Sequence, residues 1–127
     1  MNQPADPPAP VRDIHRIGGA SVENLRLKPR EAALAVPGIS VLCSDTPQEA
    51  ADQIRAAFPR ATDLHAAARS VGSTSPELIR AAGFDIIPVA SGNLPNHHRL
   101  IHPDGAAGFT DENLERLVGA FENTTGH

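Results

Sequence analysis

The residues best suited to chemistry lie in one stretch, 84 to 105, FDIIPVASGNLPNHHRLIHPDG, which holds His97, His98 and His102, half of the six histidines in the chain. Imidazole titrates closest to neutrality, so a histidine beside a polar loop is a natural general base, and these three are the catalytic candidates. Their spacing also raises the question of a metal. His98 and His102, four apart, would share an ion on a helix, but Pro95 and Pro103 bracket the segment. An extended backbone then holds them roughly 13 Å apart, whereas zinc takes ligands at about 2 Å. An ion would need Cys43 or His65 brought in from elsewhere, so no metal is expected. The plainer alternative makes all three hydrogen-bonded residues of a strand edge.

Two other groups could hold a ligand. Ser73-Thr74-Ser75 stands just before Pro76, where hydroxyls either cap a helix or offer themselves, with free backbone N–H groups, to a phosphate or ribose. Arg26, Lys28 and Arg30 belong to a basic start. Arg30 follows a proline and is either a plain surface arginine or a fork for a diphosphate. A Gly-rich phosphate loop, Cys-x-x-Cys and Gly-x-Ser-x-Gly are all missing. Asp111-Glu112 opens a helical pattern, where carboxylates serve the positive end of the dipole better than acid-base work. The single cysteine, Cys43, sits in an apolar run and reads as a buried strand thiol.

The elements that must position these groups follow from periodicity and punctuation. Residues 84 to 89 and 99 to 101 are β-prone and not strictly alternating, which suggests a central pair of strands covered on both faces. Residues 13 to 17 make a short strand ended by Gly18-Gly19, and 24 to 28 alternate polar and apolar as a half-buried strand would, with Arg26 and Lys28 on one face. Residues 31 to 36 give at most one helical turn, and 39 to 44 a buried strand. Thr46-Pro47-Gln48-Glu49 is a capping box opening the clearest helix, which should bury Ala50, Ile54, Ala57 and Phe58 before Pro59. Residues 62 to 69 leave helix open as one choice, and 70 to 73 a brief strand. Ser75 caps a short helix ended by Gly83. Thr110 caps a last one carrying Leu114, Leu117, Val118 and Phe121 at helical spacing. This irregular order predicts an α+β fold: a single small domain over 13 to 123, its mixed or antiparallel sheet flanked by three or four short helices. Residues 1 to 12, with four prolines, read as a disordered leader, and 124 to 127 as a frayed tail.

Composition narrows the classes. At 127 residues there is room for one modest core, built without Trp or Tyr from Leu, Ile, Val and four Phe. Net charge is -4, but residues 1 to 30 carry five basic against three acidic side chains, and the remainder six against twelve. Neither a basic face nor stacking aromatics mark a nucleic-acid binder, though the basic start can meet a nucleotide phosphate. No long apolar run and no charged-then-apolar start occur, so a soluble, cytoplasmic protein is expected, leaderless secretion being compatible with it.

A resemblance adds to this reading. Leu27-Lys28-Pro29-Arg30, the strand Pro37-Gly38-Ile39-Ser40-Val41-Leu42, and Pro95-Asn96-His97 leading through an apolar strand to His102-Pro103 resemble pieces of small bacterial toxin-like domains of the ADP-ribosyltransferase-like fold, type VI secretion effectors among them. The likeness spans roughly residues 24 to 109. It implies a split sheet gripping NAD, an early-strand arginine or histidine (Arg26 or Arg30), a Ser-Thr-Ser stretch (Ser73, Thr74, Ser75) and a late catalytic glutamate. The last is not matched: no Glu-x-Glu or Gln-x-Glu follows, and Glu112 and Glu115 fall in a helical pattern. A histidine would then have to act as base while Arg30 holds phosphate. The expectation is a toxin-like domain binding NAD or a related nucleotide in a cleft, with a cognate immunity or companion protein as partner. The alternative is a non-catalytic interaction domain, an inhibitory or companion protein of a bacterial operon, supported by the incomplete catalytic set and the acidic remainder of the chain.

Overall fold

The structure is a computed structural model and describes residues 11 to 127. Its elements in chain order are β1 (Ile14–Ile17), α1 (Val22–Leu25), α2 (Pro29–Ala32), β2 (Gly38–Cys43), α3 (Pro47–Ala57), α4 (Thr62–Ala67), β3 (Ser70–Thr74), α5 (Pro76–Ala81), β4 (Asp85–Pro88), β5 (His97–Ile101), a single 3-10 turn (Gly105–Gly108), α6 (Asp111–Val118) and β6 (Glu122–Thr125). The six strands form one sheet in the order β4-β5-β2-β1-β3-β6, every neighbouring pair antiparallel. This is the α+β domain expected, with six α-helices among the described residues where three or four were anticipated.

Local signals account for most helix starts. Thr46, Ser75 and Thr110 each accept a hydrogen bond from the backbone N–H three residues on, which satisfies a donor the first turn leaves orphaned. Gly83 takes φ 89° at the end of α5, a conformation glycine adopts without steric cost.

Period-two alternation along the strands divides the core. Ile14, Ile39, Val41 and Leu100 point to one face and pack with Leu25 of α1, Ile79 of α5 and Leu114 and Leu117 of α6. Leu42 and Val71 point to the other and meet Ala50, Ala51 and Ile54 of α3, with Ala68 and Leu94. Helices thus cover both sides of the sheet.

Four expectations are corrected. Residues 24 to 28 are not a strand: Ser21 caps α1, which buries Leu25, and the chain is extended only beyond it. The pair formed by residues 84 to 89 and 99 to 101 is not central, because β4 is an edge strand and β5 lies next to it. The tail is not frayed, since β6 pairs with β3 from Ser70↔Thr125 to Ser73↔Glu122, and the Asn123 side chain bonds both Ala20 N–H and Ala20 C=O. Phe58 is not buried but 37% exposed. The expected leader falls, for its first ten positions, outside the described residues, but Arg12 belongs to the fold: its guanidinium donates to the carbonyls of Ser73 and Ala120 and pairs with Glu122.

Gly72 lets the turn after β1 cross closely over β3, for a Cβ there would lie 2.8 Å from Ala20 N and 2.9 Å from Asn123 Oδ1. Gly72→Ala is expected to cost about 1–3 kcal/mol by overpacking against backbone. A urea midpoint equal to wild type would show that the turn yields freely.

Candidate functional site

The sheet splits between β1 and β2. These strands pair at only two positions, Ile14↔Cys43 and His15↔Leu42, whereas β1 pairs with β3 at four and β2 with β5 at five. Continuing the register would set Arg16 opposite Val41 and Ile17 opposite Ser40. Instead Gly18 and Gly19, with φ of 92° and 83°, turn the chain away while β2 runs on. The opening is a cavity of about 500 Å³ bordered by both strands, by Lys28, Arg30 and Glu31 at α2, by Ile54, Phe58 and Leu64 of the α3–α4 layer, and by Leu94 and His97.

Its floor is polar. The Arg16 guanidinium fills the gap where the ladder fails, donating from Nη1 to Ser40 C=O at 2.9 Å and from Nη2 to Asn24 C=O at 2.7 Å. Its Nε is buried with no hydrogen-bond partner among the described residues, and desolvation holds its pKa below the ordinary arginine value. Beside it His15 is fully buried. A carbonyl can only accept, so Nε2, 2.9 Å from Ser44 C=O, carries the proton, and Nδ1 of the neutral ring accepts from Ser73 Oγ at 2.8 Å. Burial is the main cause lowering its pKa; the Ser44 bond and the charges of Asp13 and Glu49 oppose this, and His127 adds to it.

Both cations and apolar side chains line the cleft. Of the eleven basic side chains, Arg12, Arg26, Arg55 and Arg80 make ion pairs. Arg16, Lys28 and Arg30, which border the cleft, make none among the described residues, nor do Arg60, Arg69, Arg99 and Arg116 outside it. Phe58 and Leu64, both 37% exposed, are two of the five large hydrophobic side chains most open to solvent, and both face this cavity.

The anticipated site residues separate. Arg30 and His97 share the cleft. His97 Nδ1 donates to Val89 C=O at 2.7 Å, so in the neutral ring Nε2 keeps its lone pair. His98 lies one residue on and points through the sheet to the opposite face, its Nδ1 donating to Asn96 C=O. His102 also lies on that face, its ring 4.8 Å from Phe84 and its Nδ1 accepting from Asp104 N–H. Arg26 is tied to Asp111 of α6 at 2.7 Å, away from the cleft. The three hydroxyls do not gather there either: Ser73 donates to His15, Thr74 to Ala120 C=O, and Ser75 caps α5. Cys43, expected to be a buried strand thiol, lies in β2 but is only half-buried, its thiol pKa pushed up by desolvation and then by Asp13 and Asp45. Among the described residues no three of His, Cys, Asp and Glu group as metal ligands would, and no helix is long and apolar enough to cross a membrane.

Sequence reasoning missed Arg16, His15, Phe58 as a cleft wall, and Arg99. The available signal was a polar pair, His15-Arg16, inside a strand between two isoleucines and ahead of a double glycine. Comparison of the chain with protein families, curated proteins and solved structures finds no match in any of the three.

The His15 site sets a pH dependence. Its pKa is lowered in the folded state, so the unfolded chain binds the proton more readily, and stability is complete above the ordinary value of 6.5 and falls as pH drops below it. The melting temperature should therefore decline between about pH 7.5 and 5.5, and His15→Gln, less stable throughout, should show a shallower decline. Parallel curves for the two proteins would refute this.

Proposed function

We propose that the chain binds a nucleotide, NAD or a close relative, in the split-sheet cleft. The observation that carries the reading is the mixed lining of the cavity: Arg16, Lys28 and Arg30, which make no ion pair among the described residues, together with solvent-open Phe58 and Leu64. A ligand matching both is anionic at one end and flat and apolar at the other. Phosphate suits the guanidinium forks, which bind it bidentately, and a base or nicotinamide ring suits the exposed phenyl face. A cavity of about 500 Å³ lies within the range of small-molecule sites.

The resemblance to toxin-like ADP-ribosyltransferase-like domains supports the same ligand class. A split sheet is what that likeness leads one to look for, and the parting of β1 from β2 is consistent with it. Any chemistry on the bound nucleotide falls to His97, whose Nε2 is positioned as a base by the bond from Nδ1 to Val89 C=O. Glu31, the one carboxylate bordering the cavity, has Oε1 engaged by Lys28 N–H at 2.8 Å. On this reading binding precedes and outweighs catalysis, and toxicity on expression in bacteria, lost with His97→Ala, is the mark of an active domain.

Thermal unfolding with added NAD tests the reading. At about a hundredfold excess over Kd the melting temperature should rise by about 5–10 °C. Arg30→Ala and Phe58→Ala should each weaken binding by about tenfold or more, through lost phosphate and stacking contacts respectively. No shift with NAD, ADP or AMP at millimolar concentration would remove the nucleotide.

A further inference from the structure

A second, shallower recess adjoins the cleft and shares Arg30, Glu31 and Ser40 with it; Leu34, Gly38 and Arg99 complete its walls, and its volume is about 230 Å³. Arg99 reaches it for a structural reason. On β5 it stands directly opposite Ser40 of β2, on the cleft face of the sheet. Its side chain lies over Gly38, where a Cβ would come within 2.5 Å of Arg99 Cγ and 2.8 Å of Cδ. The glycine is thus a trough for the methylene stem, and the guanidinium is carried toward α2 and Arg30. Neither guanidinium has a carboxylate partner among the described residues, although Arg26, Arg55 and Arg80 elsewhere have theirs. The recess is therefore bordered by two guanidinium groups and one carboxylate, Glu31, whose Oε1 is already taken by Lys28 N–H, which leaves cationic charge in excess there.

From this geometry we infer that Arg30 and Arg99 form a second anion subsite, which takes a further phosphoryl group of the nucleotide bound in the main cleft. The inference rests on the nucleotide reading and adds to it: the ligand carries two phosphates, and Arg99 distinguishes it from a monophosphate. Arg30, common to both recesses, holds the bridge between the phosphates, while Arg99 meets only the outer one.

Calorimetric titration with ADP and AMP tests it. Wild type should bind ADP about tenfold more tightly than AMP, and Arg99→Ala should erase that preference while leaving AMP affinity and melting temperature unchanged. Equal affinity for ADP and AMP in wild type overturns the second subsite and leaves the nucleotide cleft standing. Equal weakening of both by Arg99→Ala overturns it as well, since Arg99 would then act only through long-range charge. Failure of both ligands to bind removes the subsite and the cleft reading together.

Discussion

Arg16 occupies the place where a β-ladder should be, and the shape of the molecule depends on that substitution. Backbone carbonyls inside a fold need donors. Once β1 leaves β2 after His15, the Ser40 carbonyl loses the strand that would have served it, and a guanidinium supplies the donor instead. The same group reaches Asn24 C=O, so one side chain ties β1, β2 and α1 around an opening that ordinary pairing would have closed. The sheet tolerates the gap because its halves are secured elsewhere, β1 to β3 at four positions and β2 to β5 at five. The arrangement leaves Arg16 Nε desolvated and unbonded, a cost of about 1–3 kcal/mol for a buried donor that a bound acceptor would relieve.

His15 anchors the adjoining end of the gap. Placing an imidazole in a fully buried strand position is unfavourable unless both nitrogens are satisfied, and here they are, by a hydroxyl from β3 and a carbonyl following β2. The bonds run across both neighbouring strands at the last register position before the split. They fix where pairing ends. Ser73 and Thr74 are therefore part of the framework of the sheet, their hydroxyls spent on His15 and on Ala120 C=O.

What was legible in the sequence was local. Thr46, Ser75 and Thr110 announce helices because a cap acts on an N–H three residues away. The alternation over 24 to 28 misled because five residues of period two also describe the end of a helix followed by extended chain, and burial of Leu25 against α6 decides the matter through contacts far along the chain. The sequence of β6, ENTT, has no apolar run and reads as tail; it becomes a strand because β3 offers a free edge and Asn123 clamps Ala20. Ile86 and Leu100 look equally central in isolation, yet which strand ends at the edge is settled by long-range pairing alone. The cleft divides the same way. Arg30 and His97 stand out by their surroundings in sequence, while Arg16 and Arg99 arrive by register, one at the split and the other opposite Ser40.

Apart from its two histidines, the ionisable side chains bordering the cleft are three cations, Arg16, Lys28 and Arg30, and one carboxylate, Glu31. Stabilising a developing positive charge calls for a free carboxylate pointed at it. The cavity borders hold Glu31 alone, one of its oxygens already bonded to the Lys28 N–H that begins α2. Around it stand guanidinium and ammonium groups whose fields add in a partly desolvated opening, where screening by water is weaker than on open surface. Four of the fifteen acidic side chains, Asp52, Asp85, Asp111 and Glu122, pair with Arg55, Arg80, Arg26 and Arg12 away from the cleft. A protein with net charge -4 thus borders this one opening with three cations and a single carboxylate. Phe58 and Leu64, each 37% exposed, add open apolar surface to the same opening.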